Sequence, residues 1–168
     1  LSDGRMIWLL WLACSEGPVD YPSTANVQTH EQLVDDLAAV RHASDGGGRA
    51  WLVEGPAVRA GGSGTWIFGF EVGPQGIADG GIVFFQAPPF WGWSTPQTRQ
   101  PGGPGFVEIS SESKATLKAE SADQQLLAIR VSGASMAAGE QILVAYSGQA
   151  DRFSEQQESF WFAVDGDG

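Results

Sequence analysis

From residue 49 onward, apolar and polar side chains alternate along the chain with a period of two, the spacing of strands buried on one face. The alternation predicts strands at 50–54, 65–72, 81–86, 106–110, 115–120, 126–132, 141–147 and 158–165. In the second, Trp66, Phe68, Phe70 and Val72 share a face. Ala115, Leu117 and Ala119 of the fifth point one way, while Thr116, Lys118 and Glu120 point to water. Leu127, Ile129 and Val131, then Ile142, Val144 and Tyr146, repeat the pattern, and Phe160, Phe162 and Val164 close it with Trp161 on the opposite face. Turn-forming Gly, Pro, Asp and Ser residues separate these segments, and no helical crossover lies between them. The pattern predicts an all-β fold: an antiparallel two-sheet β-sandwich of about eight strands, immunoglobulin-like or jelly-roll-like, over residues 49–165.

Upstream the period changes. Leu33, Leu37 and Val40, widened by Val34 and Ala38, form an apolar stripe over residues 29–43. Thr29 and Gln32 give a capping-box pattern, and Ser44-Asp45-Gly46-Gly47-Gly48 stops the segment, so one short amphipathic helix is expected there. Residues 15–28 are polar and rich in turn-formers, as a flexible tether would be. Residues 1–14 run from Arg5 through Met6-Ile7-Trp8-Leu9-Leu10-Trp11-Leu12-Ala13 to Cys14. A positive start, a short apolar run and a small residue before the break match a secretory signal. The apolar run spans only about 12 Å as a helix, too short to cross a bilayer. Cysteine after Leu-Ala resembles the bacterial lipoprotein signal, with Cys14 as lipid attachment, although Trp11 stands where that signal usually has Leu. An exported protein is then expected: a periplasmic or outer-membrane lipoprotein, or an extracellular one, touching the membrane only through an N-terminal lipid. The other reading of the segment is a buried apolar stretch with an inert thiol.

Charge narrows the partners. Nine Lys+Arg against twenty Asp+Glu give a net charge of -11, which repels phosphate backbones and argues against nucleic acid. The single cysteine excludes an intrachain disulfide and Cys-cluster zinc sites. His30 and His42 stand about 18 Å apart along a helix, so a His-based metal site would have to recruit other residue types. No Gly-x-Ser-x-Gly elbow occurs, the Gly-rich runs lack a following Lys-Ser/Thr, and no carboxylate pair is set across a cleft by sequence. No catalytic group, metal or cofactor is implied. Asp165-Gly166-Asp167-Gly168 opens like an oxygen-ligand calcium loop but lacks the third ligand pair and the distal Glu, leaving an acidic turn as the simpler reading.

Between Pro88 and Pro104 five prolines stiffen a loop carrying Phe90, Trp91, Trp93 and Gln97. Flat aromatic faces on a stiff loop suit sugar rings or partner peptides. The simpler reading is that the same tryptophans anchor a long loop over the sandwich end.

Gly64-Thr65-Trp66, the run from Val72 to Ile82, and Trp93-Ser94-Thr95-Pro96-Gln97 come in a characteristic order. Pro104-Gly105-Phe106-Val107, Ala138-Gly139-Glu140-Gln141-Ile142 and the closing Phe160-Trp161-Phe162-Ala163-Val164-Asp165 complete the series. From about Trp51 to the end, this resembles the N-terminal β-rich region of the bacterial DUF3604 proteins. The resemblance implies a module that precedes a metal-dependent hydrolase domain similar to the PHP phosphoesterases, with residues 166–168 starting that continuation. The Asp-x-His-x-His motif of such a domain is not in this sequence, so no metal or catalytic residue carries over. Residues 149–157 also replace a glycine-rich stretch of the family. The expectation is a non-catalytic accessory domain that packs on a downstream domain of the same protein, with Phe85 and Trp161 as the exposed docking residues. The alternative is a cell-surface module that binds carbohydrate or protein through loop 88–105.

Overall fold

The computed structural model describes residues 42–89, 92–123, 125–154 and 157–167. The segments at 1–14 and 15–28, and 29–43 apart from its last two residues, lie outside these, as do Phe90 and Trp91. Eight strands follow in order: β1 (Arg49–Glu54), β2 (Ser63–Glu71), β3 (Ile82–Gln86), β4 (Phe106–Ser111), β5 (Thr116–Asp123), β6 (Leu126–Ser132), β7 (Gln141–Gln149) and β8 (Trp161–Asp165). They form two four-stranded sheets, β1-β2-β7-β4 and β5-β6-β3-β8, and every pairing is antiparallel. The fold is therefore the two-sheet sandwich that the alternation predicts. Only the β1–β2 and β5–β6 connections stay within a sheet; each of the others crosses between layers.

The inner faces carry the alternation into the core. Trp66, Phe68 and Phe70 of β2 meet Val83 and Phe85 of β3, Leu127, Ile129 and Val131 of β6, and Ile142, Val144 and Tyr146 of β7. Aromatic rings bridge the layers: Phe70 stacks on Phe162 at 5.7 Å, Phe68 lies 5.3 Å from Phe85, and Phe68 lies 4.7 Å from Phe160. Each such side chain contributes about 1.5–3 kcal/mol through burial. Phe160 lies before the first residue of β8 as hydrogen-bonded, yet still packs on the core.

The proline-rich loop after β3 is pinned to the sandwich end. Tyr146 on β7 donates its hydroxyl to the Ser94 carbonyl at 2.6 Å, and Gln149 and Ser94 exchange two further bonds. Gln125, at a left-handed φ of 63° in the β5–β6 turn, donates to the Trp93 carbonyl at 2.9 Å. Burial pushes the Tyr146 hydroxyl pKa well up, and the interaction with the Ser94 side chain opposes this only in part. The native state thus holds the neutral phenol. Stability from this group is intact below about pH 10 and falls as pH rises further, because only the unfolded chain then releases the proton. Tyr146→Phe is expected to lower stability by about 1–1.5 kcal/mol at neutral pH. It should also flatten the decline seen by urea unfolding between about pH 9 and pH 11. An equal alkaline slope in the variant would contradict this assignment.

Candidate functional site

The two flanks of the sandwich differ. On one side β4 runs directly into β5, and the turn is tied down where Ser111 donates to the Gln141 carbonyl at 2.6 Å and Ser113 to the Glu140 carboxylate at 3.0 Å. On the other side lie the edge strands β1 and β8, with no chain segment joining them directly. Ala50 and Leu52 pair with Phe70 and Phe68, so they share the inward face of sheet one. Leu52 nonetheless remains 55% exposed, because β8 does not reach across to cover it. The result is a groove of about 410 Å³. Trp66, Phe68 and Trp93 form its floor, Phe160 and Phe162 one wall, and Glu158 with Ser159 its polar end. A smaller cavity of about 120 Å³ continues behind Trp93 and Glu158.

The outer face of sheet two holds a second apolar surface. Trp161 is 47% exposed and shares a cross-strand row with Gln86 and Leu126. The next row is Phe84, Ala163 and Ala128. Arg130 and Asp165, which flank Ile82, and the Lys118–Glu120 pair make a charged border. Trp161 thus lies where the sequence suggests, but Phe85 does not. It is fully buried, and the outward phenyl ring of β3 belongs to Phe84. Every residue from Ile82 to Phe85 is apolar, so alternation alone could not set the facing of this strand; its register against β6 and β8 does.

Loop residues 93 and 97 have structural work. Trp93 is only 7% exposed, with its ring at 5.1 Å from both Trp66 and Phe160, so it is core rather than an open stacking platform. The Gln97 side chain accepts from the backbone of Arg99 and Gln100 at 2.8 Å each and donates to the Gln100 carbonyl at 3.1 Å. Its own backbone bonds Gly105 and Val107. Gln97 closes the loop on itself. Cys14, Phe90 and Trp91 lie outside the described residues.

At the opposite corner the first and last described segments meet. Gly46 donates to the Val164 carbonyl at 3.0 Å, Gly166 to the Asp45 carboxylate at 2.8 Å, and Ala78 to the Gly166 carbonyl at 2.8 Å. His42, Asp45 and Asp167 place their ligand atoms within 4.8 Å of one another there. The Asp45 carboxylate already accepts from the backbone of both His42 and Gly166, so its evident task is to clip these two segments together. Sequence reasoning noticed the acidic turn but not its partner residues 42–46, which only the tertiary fold brings near.

Among the described residues, no side-chain cluster joins a nucleophile, a base and an oxyanion donor. No family model, curated protein or solved structure matches this chain.

Proposed function

We propose that this chain is a non-catalytic support module, an accessory β-sandwich of an exported DUF3604-like hydrolase, and that it docks a downstream domain of the same protein. The observation that carries this reading is the outer face of sheet two. There Trp161, Phe84, Leu126, Ala128 and Ala163 form an apolar surface with charged residues at its border, the anatomy of a docking patch. The identity of the docked domain rests on the family resemblance. The Arg5–Cys14 segment supports the exported location, with the lipid at Cys14 as its anchor. The module supplies position and shape, and the reaction belongs to its neighbour.

Hydrogen exchange compares the isolated module with the full-length protein. Amides at 126–128 and 161–163 are expected to exchange more slowly in the longer chain, and Trp161→Ser is expected to remove that protection. Equal exchange in both forms would sink the docking reading, as would a full-length gene with no Asp-x-His-x-His segment downstream.

A further inference from the structure

The groove between β1 and β8 lies apart from the docking face, and its chemistry points to a ligand of its own. Along the wall that leads into β8, Glu158 and Ser159 come first and the rings of Phe160 and Phe162 follow. Opposite stands Leu52, inward-facing but more than half exposed. Below lies Trp93, nine-tenths buried, whose indole N–H has no acceptor among the described residues. Both Trp93 and Glu158 also line the smaller cavity, so it adjoins the polar end of the groove. Apolar walls with a few convergent polar groups are the usual makeup of a binding site.

Three observations select the occupant. Both edges are blunted against an added peptide strand: β1 is broken by a bulge between Leu52 and Glu54, and β8 has only five residues. The net charge of -11, with Glu158 lining the groove, repels an anionic ligand. The groove is also open along one side and larger than a small cation needs, so it fits an elongated molecule with an apolar face and a hydroxylated rim. We propose that the β1–β8 groove binds a neutral saccharide chain. Sugar C–H faces rest on Phe160, Phe162 and Leu52, and hydroxyl groups at the polar end donate to the Glu158 carboxylate. The rings are held by the core, so little side-chain freedom is lost on binding.

Isothermal titration and tryptophan fluorescence on this chain test the proposal. The probes are cellohexaose, xylohexaose, mannohexaose and laminarihexaose, beside hexagalacturonate and an alternating Val/Thr octapeptide. At least one neutral hexasaccharide is expected to bind. Glu158→Ala and Leu52→Lys, both changes at solvent-accessible positions, should each weaken it about tenfold or more. Trp161→Ser, on the outer face of the other sheet, should leave binding unchanged, which separates this site from the docking patch. The proposal fails if no neutral probe binds at concentrations up to about 10 mM. It fails equally if only the galacturonate or the peptide binds, or if both groove variants bind as well as wild type.

Discussion

Phe85→Ala is expected to lower the free energy of unfolding by about 3–5 kcal/mol, the range for a large aromatic removed from a packed interior. Phe85 is fully buried and touches four other rings: Phe68 and Phe162 at 5.3 Å, Tyr146 at 5.9 Å and Phe160 at 6.0 Å. Its loss opens a cavity where the two sheets meet, and those neighbours, themselves held by strands of both layers, cannot collapse into it. Domains of this size carry about 5–15 kcal/mol in total, so the variant stands near the limit of folding. Phe84→Ala, one residue earlier and facing outward, should cost less than about 1.5 kcal/mol. Urea unfolding of the pair measures the facing of β3 directly. Similar losses in both would mean that the strand register is wrong.

Gly105→Ala carries the second large effect, expected at about 2–5 kcal/mol from left-handed strain together with steric overlap. Gly105 adopts φ 82°, and a methyl group there would run into the Thr95 carbonyl oxygen. The backbone cannot move aside easily, since Gly105 donates to the Ser147 carbonyl at 2.7 Å and accepts from Gln97 at 2.8 Å. Gly102 provides the control. It shares the left-handed conformation, φ 75°, but has open space around it, so Gly102→Ala should register strain alone, about 1 kcal/mol. Thermal unfolding of both variants separates collision from strain. A Gly105→Ala midpoint no lower than that of Gly102→Ala would remove the argument.

All eight strands were legible because apolar residues recur in each and turn-formers bound them, although β1 leaves Leu52 of its inward face exposed. What alternation cannot carry is which strand lies beside which. β2 pairs with β7 and β3 with β8, partners far apart along the chain that are chosen by matching apolar faces across two layers. The facing of β3 was illegible for a local reason, a run of four apolar residues with no polar marker among them. For Trp93 the sequence left two readings, a stacking platform or an anchor over the sandwich end. The hydrogen bonds from Tyr146, Gln125 and Gln149 hold the loop with that indole turned inward as the anchor. The groove had a faint trace: Ala50, Trp51, Leu52 and Val53 follow one another in β1, more apolar surface than one edge strand can cover. Its other wall, Glu158 to Phe162, is a hundred residues away, and only the closed sandwich sets the two together.

The pairing of β2 with β7, running from Ser63↔Gln149 to Glu71↔Gln141, has a consequence during synthesis. At ribosomal rates on the order of 5–20 residues per second, the tryptophan and phenylalanines of β2 emerge several seconds before the partner that completes their ladder. The nascent chain must hold an aromatic ribbon half-paired for that interval, a period in which it is open to clumping or to chaperone capture.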